Sequence, residues 1–182
     1  MGAKDIPIEL DGKDTITRIY LRQRIYIFLW QIKRDFDKDN IPSRTVLANR
    51  FIDLVSIVKW LSVFYGNTND DFYVSAKFLA KLCRDEYVSH LNRITECENI
   101  SNDVKFASGL GIFRNQRNVI CHNFGVYRNV KRTQQVTYEA EAAICALYSI
   151  LAKEVGKELE FDGISFGKMF IDYLRNFREV KE

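Results

Sequence analysis

The chain contains only two prolines, Pro7 and Pro42, and both lie towards its N-terminal end. Because proline breaks helices and central strands, the long proline-free remainder favours long regular helices. The 47% hydrophobic content of the 182 residues is enough for a sizeable core. We therefore expect one domain over residues 1–182, which includes a short polar N-terminal segment at residues 1–13.

Apolar residues recur at spacings of three and four, which is typical of helices with one buried face. On the first helix this stripe is predicted to consist of Ile16, Ile19, Tyr20, Ile27, Trp30 and Phe36. The predicted helices are Asp14–Asp37, Ser43–Tyr65, Asp71–Glu96, Val104 or Leu110 to His122, Tyr138–Lys157 and Ile164–Phe177. The fold class predicted is all-α, an antiparallel helical bundle of five to six helices, with Trp30 and Trp60 as core residues rather than base-stacking platforms.

Neither a membrane segment nor a metal site is expected. The most apolar run, Ile25–Trp30, is far too short to span a bilayer, and the N-terminus lacks the apolar core of a signal peptide. The four cysteines form no CxxC pair, and only one histidine lies near any of them, which argues against zinc. The sequence predicts a cytoplasmic protein with reduced cysteines, no metal and no cofactor.

Positive charge is concentrated around one of the two histidines, His122. From Val104 to Tyr138 the chain has no Asp or Glu, although its net charge is only +3. The cations of this window are Lys105, Arg114, Arg117, Arg128, Lys131 and Arg132. Because histidine titrates near neutral pH, the segment has the chemistry to hold a phosphate and to move a proton beside it.

On a helix, Arg114, Asn118 and His122 would form one ridge, with Arg117 and Cys121 on the next. Arginine binds phosphate through a planar fork of donors, and histidine can act as a general acid or base. Such a set can support cleavage of RNA in which the ribose 2′-OH attacks the adjacent phosphorus, while arginine stabilises the developing charge. Cys121 is interpreted as a packing residue.

The run from Arg117 to His122 resembles the R-x(4–6)-H motif of the HEPN superfamily, in which Asn commonly follows the Arg, as Asn118 does here. The resemblance implies a helical bundle that acts as a metal-independent endoribonuclease, of the kind found among toxins, anti-phage defence proteins and CRISPR effectors. It implies Arg117 and His122 as the catalytic pair with Asn118 in support. It also implies a homodimer in which the two copies form one composite RNA site, and a possible antitoxin or defence-complex partner.

A second match to the motif, Arg84 to His90, lacks the Asn and contains Asp85 and Glu86, which would repel a phosphate. The Arg117 match is therefore preferred. RNA contacts are assigned to Arg114, Arg128, Lys131 and Arg132, although the last three also suit an ordinary polar loop.

Two other interpretations stay open. One is a non-catalytic HEPN-like module that binds RNA or a nucleotide, or serves as a scaffold. The other is a helical interaction protein in which the motif is fortuitous. Phe124 also stands where toxins paired with a nucleotidyltransferase antitoxin carry Tyr.

Overall fold

The computed structural model describes residues 8–10, 14–16, 18–95, 103–122, 137–155 and 159–178, with the backbone alone for 8–10, 14–16, 119–122 and 177–178. Two three-residue strands, β1 and β2, pair antiparallel with Ile8 opposite Ile16. The elements in chain order are β1 Ile8–Leu10, β2 Asp14–Ile16, α1 Arg18–Asp37, α2 Arg44–Phe64, α3 Phe72–Leu82, α4 Arg84–Thr95, α5 Asp103–His122, α6 Tyr138–Val155 and α7 Gly163–Arg178.

The helical class is confirmed, but the described residues form seven helices rather than five or six, because the third predicted helix divides at Cys83. Cys83 leaves helical geometry at φ −127° and ψ 29°, and its carbonyl accepts the backbone N–H of Tyr87 at 2.9 Å. Asp85 and Glu86 then lie in the first turn of α4, where the helix dipole favours acidic side chains. The first helix also begins later than predicted, at Arg18, since Asp14–Ile16 is a strand.

Helix α6 lies at the centre of the core and packs against α1, α4, α5 and α7. Its alanines allow close approach on several sides, and it has buried residues around nearly its whole circumference. Gly109 of α5 lies at one such approach, because a Cβ there would meet the Glu139 carbonyl oxygen at 2.5 Å. Gly109 is therefore a packing position inside a continuous helix, which begins at Asp103 and not at Leu110.

The core face of α1 differs from the predicted stripe. The buried residues are Leu21, Ile25, Phe28, Leu29 and Ile32, together with the polar Asp35. Ile19, Tyr20, Ile27 and Trp30 are instead exposed on the opposite face, with Trp30 at 46%. Both faces of α1 carry apolar residues at helical spacing, so periodicity alone selected the wrong one. Trp60 on α2 is half-buried against the core.

A buried polar network joins α1, α2 and α7. Arg50 is 3% exposed and donates from Nη1 to Gln31 at 2.8 Å and from Nη2 to Asp35 at 3.3 Å. The Tyr173 hydroxyl donates to the same Asp35 carboxylate. The network joins a buried charge pair across three helices, although the buried Nε of Arg50 has no hydrogen-bond partner among the described residues. No helix among the described residues is long and apolar enough to cross a membrane.

Candidate functional site at the end of helix α5

The preferred motif occupies the last two turns of α5, which stays helical through His122. Phe113 and Gln116, at 0% and 4% exposure, fix which side of the helix faces the core. Arg114, Arg117 and Asn118 are half-buried at the margin of that face. The fold thus places these three polar side chains at a boundary between core and solvent, where a ligand can reach them.

Arg117 and Asn118 are in direct contact. The Nη1 of Arg117 donates to the Oδ1 of Asn118 at 2.8 Å. The Nε of Arg117 is buried and has no hydrogen-bond partner in the part of the chain that the structure describes. The amide holds one edge of the guanidinium and so positions a side chain whose planar fork of donors is suited to an anion.

Arg114 lies over an aromatic ring that the sequence did not single out. Its guanidinium carbon is 5.0 Å from the ring centroid of Tyr73, near the start of α3. This distance is within the range of a cation–π contact, and Tyr73 is still 36% exposed. No local sequence signal links Tyr73 to α5, because the contact depends on how α3 packs against α5.

No acidic side chain in the described part of the chain compensates the charge of either arginine. Most arginines of α1 and α2 with described side chains form ion pairs: Arg18 and Arg22 with Glu154, Arg24 with Asp53, and Arg50 with Asp35. Neither Arg114 nor Arg117 forms an ion pair with any described residue. Positive potential therefore remains at the end of α5, as the acid-free sequence predicted.

His122 continues the ridge of Arg114 and Asn118, as predicted for a helix. Arg117 precedes it by five residues, which on an α-helix is about 140° around the axis. Arg117 and His122 therefore do not share a face of α5, and the contact with Asn118 turns the guanidinium towards the His122 ridge. The side chains of Cys121 and His122, and all of Arg128, Lys131 and Arg132, lie outside the described residues.

The alternative motif lies on α4 in different surroundings. Arg84, Asp85 and Glu86 are all exposed, so two carboxylates accompany the arginine. His90 is half-buried with its Nδ1 3.5 Å from Nη2 of Arg93. Burial, followed by the Arg93 charge, lowers the pKa of His90. A neutral histidine beside acidic side chains is a poor phosphate site, which agrees with the preference drawn from the sequence.

Among the described residues, no group of three or more His, Cys, Asp or Glu side chains lies close enough together to hold a metal ion. No family model, no curated protein and no solved structure matches the chain.

Proposed function

We propose that the chain is a metal-independent endoribonuclease whose active site lies at the C-terminal end of α5. The observation that carries the proposal is the Arg117 guanidinium, fixed by Asn118 and free of any ion pair among the described residues. An immobilised, uncompensated guanidinium is suited to a phosphoryl group that gains charge in a transition state. The resemblance of the segment to the HEPN motif supports the same assignment.

The proposed reaction needs only groups of the chain and of the RNA. The ribose 2′-OH attacks the adjacent phosphorus, the bond from phosphorus to the 5′-oxygen breaks, and the products carry a 2′,3′-cyclic phosphate and a 5′-OH. His122 takes the proton of the 2′-OH or delivers a proton to the leaving oxygen. Arg117 binds the non-bridging oxygens, and Asn118 holds Arg117 in place.

We further propose, on the resemblance alone, that the enzyme acts as a homodimer. In the arrangement that the resemblance implies, Arg117 and His122 of one copy face the same pair of a second copy across one RNA cleft. A role as a toxin or an anti-phage defence component follows from the same resemblance, and a location in the cytoplasm follows from the sequence argument on cysteines and signal segments.

The test is cleavage of a labelled mixed-sequence RNA in excess EDTA. Wild type is expected to cut, while Arg117→Ala and His122→Ala are expected to lose at least a hundredfold in rate, as is typical for general acid–base and charge-stabilising groups. Arg84→Ala and His90→Ala are matched controls, since they remove the same residue types from the other motif; both should cut at the wild-type rate.

Equal loss in the control variants would refute the site. If wild type binds RNA but never cuts it, the non-catalytic binding module becomes the better account, and His122→Ala should then bind as wild type does.

A further inference from the structure

Helix α3 lies beside the proposed site and carries an unassigned row of side chains. Tyr73, Lys77 and Lys81 are four residues apart, so they share one ridge of α3. All three are exposed. The contact between Tyr73 and Arg114 places one end of this ridge next to the proposed phosphate site.

The ridge runs along α5 rather than away from it. The Tyr73 hydroxyl would lie 3.0 Å from a Cβ at Gly111, so the start of α3 meets the middle of α5. Cys83 directly follows α3, and the charge of Asp103, at the start of α5, adds to the effects of burial and Glu86 that raise the pKa of its thiol. The end of α3 therefore lies beside the beginning of α5, and the two helices pack together along their lengths.

The surface of this helix pair is short of acidic groups. Helix α3 has no Asp or Glu, and α5 has none after Asp103. The nearest acids before α3 are engaged: Asp70 pairs with Lys59 at 3.8 Å, and Asp71 accepts the backbone N–H groups of residues 73 and 74. Lys77 and Lys81 form no ion pair with any residue in the described ranges. Beyond Lys81, the first turn of α4 carries the exposed Asp85 and Glu86 next to Arg84.

We propose that Tyr73, Arg114, Lys77 and Lys81 form a track for single-stranded RNA that leads to the phosphate at Arg117. One nucleobase stacks on the Tyr73–Arg114 pair, and the two lysines hold the phosphates of the nucleotides that follow. Aromatic rings and guanidinium planes stack on unpaired bases, and a row of cations along a helix follows the spacing of a backbone. This proposal rests on the proposed function in one respect, namely that the ligand is RNA.

The test measures binding of a fluorescent single-stranded RNA by full-length protein carrying His122→Ala, which keeps the RNA intact. Tyr73→Leu retains an apolar side chain but removes the ring, and should weaken binding roughly tenfold or more. Tyr73→Phe keeps the ring and should bind within twofold of the parent. Lys77→Ala and Lys81→Ala should each lower the slope of log affinity against log salt by about 0.7.

Lys168→Ala is the matched control, because Lys168 is an exposed cation on α7; its affinity and salt slope should not change. The same RNA annealed to its complement should bind more weakly than the single strand, since its bases are stacked in the duplex.

The outcomes separate this proposal from the nuclease. Variant effects on binding without any wild-type cleavage would support the track and overturn the proposed reaction. Wild-type cleavage with Tyr73→Leu, Lys77→Ala and Lys81→Ala all binding as the parent does would overturn the track alone. Absence of RNA binding by the parent protein would overturn both.

Discussion

Gly109 offers a demanding test of the packing that positions the site. A Cβ at this position would lie 2.5 Å from the Glu139 carbonyl oxygen, 2.7 Å from its carbon and 2.9 Å from the Ala140 nitrogen. Non-bonded heavy atoms rest at about 3.5–4.0 Å. All three neighbours are backbone atoms, so rotation of a side chain cannot relieve the clash, and α5 must move away from α6.

The expected change in the free energy of unfolding of Gly109→Ala follows from two opposing contributions. Replacing glycine by alanine inside a helix stabilises it by about 1 kcal/mol. Overpacking a tight core costs about 1–3 kcal/mol, and a clash with backbone belongs at the upper end of that range. We therefore expect Gly109→Ala to lose about 2 kcal/mol of unfolding free energy, since the steric cost of ~3 kcal/mol exceeds the gain in helix propensity. For a chain of this size the melting temperature should fall by about 4–8 °C.

Urea unfolding followed by circular dichroism measures this loss. Ser108→Ala is the control, because Ser108 is exposed on the same helix and its substitution should leave stability unchanged or slightly raised. Gly111→Ala is a second comparison: its nearest neighbour is the hydroxyl end of Tyr73 at 3.0 Å, which can move. A Gly109→Ala protein as stable as wild type would refute the close approach of α5 and α6.

Three further predictions concern buried groups. Asp35→Ala should lower the free energy of unfolding, measured with urea, by about 3–5 kcal/mol, because it leaves the Arg50 guanidinium buried without its carboxylate. A loss under about 1 kcal/mol would contradict the buried network. Burial raises the pKa of the Cys83 thiol to about 12 and that of Cys145 to about 11, above the usual value of 9.0. Because the folded state disfavours these thiolates, stability should be constant at pH 7–8 and fall as pH rises from 9 towards 11; a urea midpoint that rises over this interval would be inconsistent with buried thiols. Arg117→Met should lower RNA cleavage at least a hundredfold and lower the melting temperature little, since the buried Nε has no partner among the described residues and the Nη1 bonds only the neighbouring Asn118; a large thermal loss would indicate a structural role instead.

Much of the helical order was predictable from local signals. Helix α2 begins and ends within one residue of the predicted Ser43–Tyr65, with Ser43 and Tyr65 as its capping positions, although the Ser43 side chain makes no capping hydrogen bond. Helices α6 and α7 begin within one residue of their predicted starts. In these segments turn residues and apolar periodicity agree, so local information was sufficient.

The errors arose where local signals were ambiguous. Asp71–Glu96 has continuous helical periodicity, and only the departure of Cys83 from helical geometry divides it. The exposed stripe of α1, with Trp30, has the same spacing as the buried stripe, and tertiary packing alone decides between them. In the candidate site, Arg117 and Asn118 are neighbours in sequence, so their contact could be anticipated from the motif. The contact of Tyr73 with Arg114 joins two helices and has no local sequence signature.

Attack by the ribose 2′-OH at the proposed site on α5 is tested most directly with two RNAs in excess EDTA, one unmodified and one with a single 2′-deoxynucleotide at the position that wild type cuts. We expect the unmodified RNA to yield a 2′,3′-cyclic phosphate and a 5′-OH, and the substituted RNA to remain uncut at that position. Cleavage of the substituted RNA there, or products with a 3′-OH and a 5′-phosphate, would contradict the proposed reaction.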